Sequence, residues 1–391
     1  MKSLQMKYNF LHILYWITYC SVYGYVAVFL QFKGLSNTEI GIVTGVGAIL
    51  SIFISPFISS LVGKIKGLTI KKLMLILYCL MVIIFASLVF LPLPTIIIMI
   101  LYMSLTCLMV SNVPFLSMIC TQYLKEGQYI NFGLSRGLGS VSYAATAIVI
   151  GRMIDFINPT IIGYIHCISS ILLLILLFSM PDSSIDTTDE KDDSISIFQI
   201  INQYKTFFFI LVGFAFSSGA STSLTTYLIN IVKNLGGNTS LYGIAVFCMA
   251  ASEMPFMAIT HSLLKKYKSE TLILAASLFY LARNFTICLA PSLPILLIGM
   301  MFQGCSYGLF TATITYYVND YLDPKHHMMG QTMIGMMSTG LGSSIGNLCG
   351  GVLQDHFGLN NMLVFACTLT IIGVIIVFFT VRNKIGMKKR I

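Results

Sequence analysis

Long apolar segments separated by short polar stretches run along the whole chain of 391 residues. A membrane-spanning α-helix needs about 20 consecutive, mostly apolar residues. Twelve segments meet that length: Tyr8–Phe32, Thr38–Val62, Leu73–Leu91, Thr95–Thr121, Phe132–Phe156, Thr160–Met180, Thr206–Val232, Thr239–Leu263, Thr271–Ala290, Leu293–Val318, Met329–Leu353 and Met362–Val381. Their continuous apolar runs favour helices over the alternating strands of a β-barrel, because a bilayer requires every backbone polar group to be satisfied internally. The pattern predicts an all-α integral membrane protein with twelve transmembrane helices.

One polar segment, residues 181–205, is longer than the other connections. Its acidic residues are Asp182, Asp186, Asp189, Glu190, Asp192 and Asp193, and no aromatic residue precedes Phe198. Such a composition cannot bury a core, so we expect a flexible, acidic cytoplasmic linker. It divides the chain into a six-helix bundle at 1–180, the linker at 181–205, and a six-helix bundle at 206–391 that ends in a basic cytoplasmic tail.

The composition agrees with a membrane protein, since 57% of the residues are hydrophobic and 9% are charged. A soluble domain carries about 25% charged residues. The ten cysteines are scattered singly without a C-x-x-C motif, so we expect neither a disulfide framework nor a metal site. No phosphate-binding loop or catalytic motif is present, so we expect no cofactor, no enzymatic activity and no transport driven by ATP.

The positions of Lys and Arg predict the orientation. With both termini in the cytoplasm, eighteen of the 23 basic residues fall on the inner side, and only Lys33, Arg152 and Lys233 fall outside. Cytoplasmic loops carry an excess of Lys and Arg. The excess of basic over acidic residues therefore reflects membrane orientation and not nucleic-acid binding. We expect a monomer in the cytoplasmic membrane of a bacterium, with both termini inside.

The two halves of the sequence carry matching residues in matching helices. In the fifth helix the run Gly137–Ser140 reads G-L-G-S and Asp155 follows. In the eleventh helix the run Gly340–Ser343 also reads G-L-G-S and Asp355 follows. Transporters are often built from such repeats, with the substrate site near mid-membrane at the repeat interface.

The segment Phe132–Ser140, which reads F-G-L-S-R-G-L-G-S, resembles the major facilitator superfamily, and so does Gly34–Gly41 at the entry to the second helix. The resemblance covers nearly the whole chain, and the most similar branch contains lactose permease and phenylpropionate permease. It implies two pseudo-symmetric six-helix bundles that work by alternating access. It also implies substrate contacts for Arg136 and for Tyr143, the aromatic residue seven positions later.

In the second half, Gly243, Glu253 and Arg283 are spaced as in phenylpropionate permease, and Gln303 with Gly304 resembles its tenth helix. The chain departs from lactose permease in three places. Residues 115–120 lack the acidic partner of the arginine, the tenth helix lacks the histidine–glutamate proton site, and the charge pairs between the seventh and eleventh helices are missing. Gly63 also stands where the superfamily has an aspartate. We therefore do not expect lactose as the substrate, and the proton route of lactose permease does not carry over.

Three ionisable residues lie plainly at mid-membrane positions of the predicted spans: Arg136, Glu253 and Arg283. Each costs roughly 2.5–3.5 kcal/mol on insertion scales, so each is expected to face protein or water and to have a function. Glu253 is the candidate for reversible protonation. Arg136 and Arg283, the latter beside Asn284, are candidates for charge-assisted substrate contacts. Two structural alternatives remain: Arg136 reaches the lipid headgroups, or Glu253 and Arg283 form a purely structural ion pair.

Helix 1 carries a stripe of polar aromatic residues at helical spacing, formed by His12, Tyr15, Tyr19 and Tyr23. We include Tyr19 among the candidate substrate contacts, together with Asn112 on the fourth helix and Gln303. Helix packing and anchoring at the membrane interface explain the stripe equally well.

Taken together, the sequence predicts a secondary transporter for a small organic solute, such as a sugar, a nucleoside, or an aromatic or organic acid, with proton symport as the expected coupling. A proton-antiport exporter and an uncoupled facilitator remain alternatives. A membrane enzyme would need paired acids, a metal cluster or a nucleophile, and a channel would seldom need two six-helix halves.

Overall fold

A computed structural model describes residues 2–65, 67–182 and 197–387 of the protein. Over these residues the structure is all-helical and contains no β-strand. The chain divides into two compact units. Unit 1 consists of Met1–Leu35, Val46–Asp192 and Thr239–Phe247, and unit 2 consists of Ser36–Gly45, Asp193–Asn238 and Cys248–Ile391.

The α-helices before the polar segment are α1 Lys2–Tyr19, α2 Val26–Phe32, α3 Asn37–Lys64, α4 Ile70–Phe90, α5 Thr95–Ser111, α6 Val113–Lys125, α7 Phe132–Phe156 and α8 Ile161–Ser179. A π-helical turn, Cys20–Gly24, joins α1 to the bend before α2. Within unit 1, α1 packs against α7 and α8, and α4 packs against α5 and α8.

The α-helices after the polar segment are α9 Ile197–Gln203, α10 Lys205–Thr226, α11 Leu228–Asn234, α12 Thr239–Leu264, α13 Ser269–Cys288, α14 Leu293–Met301, α15 Leu309–Tyr321, α16 His327–Gly335, α17 Ser343–Phe357 and α18 Leu359–Met387. Two further π-helical turns, Gly304–Gly308 and Met336–Gly342, lie between α14 and α15 and between α16 and α17. In unit 2, α10 packs against α13, α17 and α18.

Helical structure occupies each of the twelve predicted spans. By length and composition, ten helices in the described ranges could cross a membrane, or up to eleven when the bent pair Leu4–Gly24 and Val26–Phe32 counts as one span. The remaining predicted span, Met329–Leu353, is helical throughout but is divided by the π-helical turn Met336–Gly342. It is not among the counted spans, whereas Leu293–Tyr321 is counted across its own π-helical turn, Gly304–Gly308.

Two further predicted spans are interrupted without a π-helical turn. The fourth breaks at Asn112, where α5 ends, and Pro114 lies in the first turn of α6. Proline lacks an N–H and is tolerated at a helix start, where that donor has no partner within the helix. The seventh span breaks at Tyr227, between α10 and α11. The apolar pattern predicted the extent of the seventh span but not its break at Tyr227.

The predicted flexible linker ends earlier than its composition indicates. Residues 197–203 form α9, and Ile200 is fully buried in the core of unit 2, with Ile197 and Ile201 packed against the same core. Isoleucines three and four residues apart lie on one helix face, which explains the docking. At the other end of the linker, Asp182 forms a 3.0 Å ion pair with Lys71. The acidic stretch between them, residues 183–196, lies outside the described residues.

Helices α3 and α12 are each divided between the two units. Residues 239–247 of α12 belong to unit 1 and the rest of α12 to unit 2. In unit 1 the Asp155 carboxylate accepts hydrogen bonds from the backbone N–H groups of Thr239 and Ser240, at 3.2 and 2.8 Å, and from the Ser240 hydroxyl. A carboxylate at a helix start satisfies N–H groups that have no intrahelical partner and interacts favourably with the helix dipole.

The first turn of α3 is held in the same way within unit 2, which contains residues 36–45. Asp355 accepts hydrogen bonds from the backbone N–H groups of Asn37 and Thr38, at 3.2 and 2.6 Å. The backbones also approach closely, since a Cβ on Gly41 would lie 2.5 Å from the Asn347 carbonyl oxygen. The aspartates predicted as repeat partners therefore perform the same task, each at the start of a divided helix.

Candidate functional site

The candidate residues of unit 1 gather where α1 faces α7. The Arg136 guanidinium lies over the ring of Trp16, with 4.1 Å from its Cζ to the ring centroid. Its Nη1 donates a hydrogen bond of 2.7 Å to the Ser140 hydroxyl, one helical turn later in α7. A cation within about 6 Å of an indole centroid is attracted by the ring quadrupole. Arg136 is therefore held inside unit 1 by contacts with protein groups.

A row of aromatic rings extends from Trp16 along α1. Trp16 and Tyr19 have ring centroids 5.1 Å apart, and Tyr19 stacks on Tyr23 at 4.7 Å with an angle of 15° between the rings. Tyr143 approaches the same row from α7, at 6.4 Å from Tyr19 and 6.3 Å from Trp16. The structure thus brings together three predicted residues, Arg136, Tyr19 and Tyr143, and adds Trp16 and Tyr23 to them.

The candidate residues of unit 2 form a buried polar network centred on Arg283 in α13. Its side chain is fully buried. Nη1 donates to the Asn284 side-chain oxygen at 2.9 Å, and Nη2 makes a long contact of 3.4 Å with the Thr225 hydroxyl. The Nε donor has no hydrogen-bond partner. A buried donor without an acceptor costs about 1–3 kcal/mol, so Arg283 occupies an environment that satisfies only part of its hydrogen-bonding capacity.

Asn284 connects Arg283 to two further helices. Its side-chain oxygen accepts a second hydrogen bond, of 3.0 Å, from Ser221 in α10, and its amide donates at 2.8 Å to Thr370 in α18. Asn284 and Thr370 are both fully buried. Asn284 therefore fixes the position of the guanidinium with hydrogen bonds from three helices.

Glu253 in α12 pairs with Gln303 between α14 and the following π-helical turn. The Gln303 amide donates a 3.0 Å hydrogen bond to Glu253 Oε1, while the amide oxygen of Gln303 is buried and has no partner. Glu253 lies within electrostatic reach of Arg283. Among the described residues, no carboxylate lies within salt-bridge distance of the Arg283 guanidinium. The two charges interact while the hydrogen bonds given above join them to different partners, and a purely structural role for the pair stays a prediction.

Asn112 is set apart from the other candidates. It is fully buried where α5 meets α6, and its amide donates a 2.8 Å hydrogen bond to the Leu108 carbonyl one turn earlier. Its side-chain oxygen has no partner. The hydrogen bond to Leu108 is local and lies at the break in the helix, and a substrate contact for Asn112 stays a prediction.

Sequence analysis missed several members of both groups. Trp16 is the only tryptophan of the chain and lies one turn before Tyr19. This spacing indicates that the two rings share a helix face. Ser221 and Thr225 are four residues apart, so they share a face of α10. Their small hydroxyl side chains are common in packed membrane helices, and only the fold reveals that they surround Arg283.

The two groups offer different chemistry. Unit 1 presents a cation beside flat aromatic faces, which suits the ring and the hydrogen-bond acceptors of an organic solute. Unit 2 presents a buried cation and, beside an amide, a carboxylate that can change its protonation state.

A family model described as "MFS_1 like family" matches residues 5–377. Among curated proteins, the chain is 24% identical over 344 residues to the uncharacterized transporter YwbF of Bacillus subtilis strain 168, covering 87% of this chain and 84% of YwbF. It is 23% identical over 256 residues to the maltose permease of Geobacillus stearothermophilus, covering 65% of this chain. That match spans 64% of the maltose permease, which is less than two thirds of its length.

Two solved structures are similar in fold. The nucleoside transporter NupG superposes with a TM-score of 0.80 at 16% identity, covering 96% of this chain and 98% of NupG. A bacterial homologue of the human lysosomal transporter Spinster superposes with a TM-score of 0.70 at 13% identity, covering 97% of each chain. At these identities the likeness establishes the fold alone.

Proposed function

The chain belongs to the MFS_1 like family, and we propose that this membrane transporter moves a small organic solute by alternating access, coupled to protons as a symporter. The family, the curated relatives and the similar structures are membrane transporters and not enzymes. The substrate, the coupling and the direction of transport belong to the proposal.

The proton coupling rests chiefly on the pairing of Glu253 with Gln303. Gln303 already donates to one oxygen of Glu253, and its own amide oxygen lacks a donor. A protonated Glu253 can donate its O–H to that oxygen, so that acid and amide form two reciprocal hydrogen bonds. An ionised Glu253 is instead favoured by the positive charge of Arg283. The same three side chains therefore provide for both protonation states.

The substrate we propose has a ring and several hydrogen-bond acceptors, as a sugar or a nucleoside has; an aromatic or organic acid is the further possibility. The row of Trp16, Tyr19, Tyr23 and Tyr143 beside Arg136 supports this class, because aromatic faces stack on rings and guanidinium groups donate to oxygen acceptors. The names of the maltose permease and of the nucleoside transporter NupG point to the same chemistry.

The location we propose is the cytoplasmic membrane of a bacterium, with both termini inside. The distribution of Lys and Arg between the connections supports this orientation. An exporter that uses Glu253 for proton antiport, or a facilitator without coupling, would contain the same helices and differ in the transport assay.

The test is uptake of radiolabelled maltose, uridine and phenylpropionate into proteoliposomes, with and without an inward proton gradient. Wild type is compared with Glu253→Gln, which keeps the size of the side chain and removes the titratable group. We expect the gradient to drive accumulation of at least one solute in wild type. Glu253→Gln should lose accumulation and keep counterflow exchange, because exchange needs no net proton movement.

The matched control is Glu39→Gln, since the Glu39 carboxylate accepts a hydrogen bond from the Ser36 backbone at the start of α3, away from the Glu253–Gln303 pair. This variant should accumulate solute as wild type does. Gln303→Leu should weaken accumulation less than Glu253→Gln, because the titratable group remains. Symport would be excluded if the solute only equilibrated, at a rate independent of the proton gradient and unchanged in Glu253→Gln. Efflux of solute driven by protons would indicate an exporter.

A further inference from the structure

The Trp16 ring forms a flat platform, and the Arg136 guanidinium lies over it. The guanidinium Cζ lies 4.1 Å from the centroid of the indole ring, and Nη1 donates a 2.7 Å hydrogen bond to the Ser140 hydroxyl. The indole face attracts the cation without using any N–H donor and without cancelling its charge.

The platform itself is fixed by its neighbours. Tyr15 meets Trp16 edge-on at 5.3 Å and 85°, and Tyr143 meets it edge-on at 6.3 Å and 78°. On the side of α7, a Cβ added to Gly139 would lie 2.2 Å from indole Cδ1 and 2.7 Å from Nε1. The indole therefore rests directly on the α7 backbone, at a position where any side chain larger than hydrogen would displace it.

We propose that Trp16 is a positioning residue for Arg136: its ring fixes the plane of the guanidinium for substrate recognition, and Gly139 provides the space for the ring. The proposal deepens the proposed function, because it takes Arg136 to be a substrate contact. A guanidinium is planar and presents its donors in a fixed fork. Setting its plane therefore sets the direction in which the donors meet an acceptor pair on the solute.

The first measurement needs no substrate, because Trp16 is the only tryptophan of the chain and so is the source of all tryptophan fluorescence. The emission spectra of purified wild type, Arg136→Leu and Ser140→Ala are compared. We expect a changed emission maximum and intensity in Arg136→Leu, since it removes the stacked cation, and a smaller change in Ser140→Ala. An Arg136→Leu spectrum identical to wild type would overturn the stacked arrangement.

The second measurement is the KM for uptake of whichever solute among maltose, uridine and phenylpropionate the wild type carries. Trp16→Leu should raise KM about tenfold with little change in kcat, and Trp16→Phe, which keeps a weaker aromatic face, should raise it about threefold. If both variants have the wild-type KM, Trp16 does not position Arg136. If both lower kcat equally and leave KM unchanged, the role of Trp16 is in packing and the proposal is wrong.

Gly139→Ala tests the space beneath the ring, and Gly335→Ala is its control. Both glycines are helical, but a Cβ on Gly335 would meet nothing within 4 Å. We expect Gly139→Ala to alter the tryptophan emission and raise KM, and Gly335→Ala to do neither. A wild type that carries none of the three solutes contradicts the proposed function but leaves the fluorescence comparison intact, so the two failures are distinguishable.

Discussion

The two arginines at mid-membrane positions of the predicted spans, Arg136 and Arg283, are held by different means. Arg136 in unit 1 is half-buried and lies on an indole face, with one hydrogen bond to Ser140. Arg283 in unit 2 is fully buried, bonded to Asn284 and in long contact with Thr225. Stacking fixes the plane of a guanidinium and leaves its donors for other partners, whereas a hydrogen-bonded cage fixes it by engaging them. The comparison supports the proposal that Arg136 meets a solute through an oriented guanidinium, and that Arg283 contributes its charge beside Glu253.

The largest effect is expected for Arg283→Met, which removes the buried charge and keeps most of the side-chain volume. Uptake should fall by about ten- to a hundredfold, as expected for losing a charged partner worth about 1.5–3 kcal/mol. The thermal midpoint, followed by labelling of the buried thiols, should stay close to wild type, because methionine fills the site and the substitution removes a buried N–H donor that has no acceptor.

The control for this variant is Arg152→Met, which changes an exposed arginine of α7. It should leave both uptake and the midpoint unchanged. A midpoint that falls together with uptake in Arg283→Met would assign Arg283 a structural role and remove its distinction from Arg136.

A smaller effect is expected for Arg136→Lys. An ammonium keeps the charge but lacks the planar fork and stacks less well. KM for uptake should rise about tenfold, while Arg283→Lys, which breaks up a cage built around a guanidinium, should lose most of its uptake. Measuring KM for both lysine variants sharpens the comparison, and equal losses would contradict it.

Thr225→Val should have a modest effect, because it replaces a hydroxyl by a methyl group in a side chain of the same shape. The contact with Arg283 is long, at 3.4 Å, so its loss should cost about 1 kcal/mol or less, a factor of about five in KM. Thr368→Val is the control, since that hydroxyl bonds only to the Val364 carbonyl one turn earlier. A loss as large as that of Arg283→Met would mean that Thr225 contacts the solute itself.

The smallest effect is expected for Tyr23→Phe. The hydroxyl donates a 3.2 Å hydrogen bond to the Thr106 carbonyl, while the ring stacks on Tyr19 at 4.7 Å. Phenylalanine keeps the stacking, so the KM for uptake should change by about twofold or less, and Tyr23→Ala should raise it further. An equal loss in both variants would show that the hydroxyl matters more than the ring.

The apolar pattern predicted the extent of the helices well, because exclusion of water from a bilayer leaves a long helix almost the only choice. It did not predict the break at Tyr227 or the π-helical turn at Met336–Gly342. Such features depend on how a helix packs against its neighbours, and a run of apolar residues looks the same with or without them.

The candidate residues were predictable one by one but not as groups. Arg283 and Asn284 are adjacent in the sequence, whereas the partners of Asn284 lie 63 and 86 residues away, at Ser221 and Thr370. Sequence reasoning gave an ion pair between Glu253 and Arg283 as one alternative. In the fold, Arg283 contacts the Asn284 amide and the Thr225 hydroxyl, and Glu253 accepts a hydrogen bond from Gln303. Whether these residues bind a solute or a proton remains a prediction for the assays above.

The divided helices have a consequence for experiments with severed chains. A cut within residues 183–196 would leave the first turn of α3 on one fragment and Asp355 on the other, and likewise would separate α12 from Asp155. Each fragment would then carry an unfinished helix start and the carboxylate that completes its counterpart. Each fragment expressed alone should fold poorly and be degraded quickly. When the two fragments are expressed together, they should bind each other and copurify.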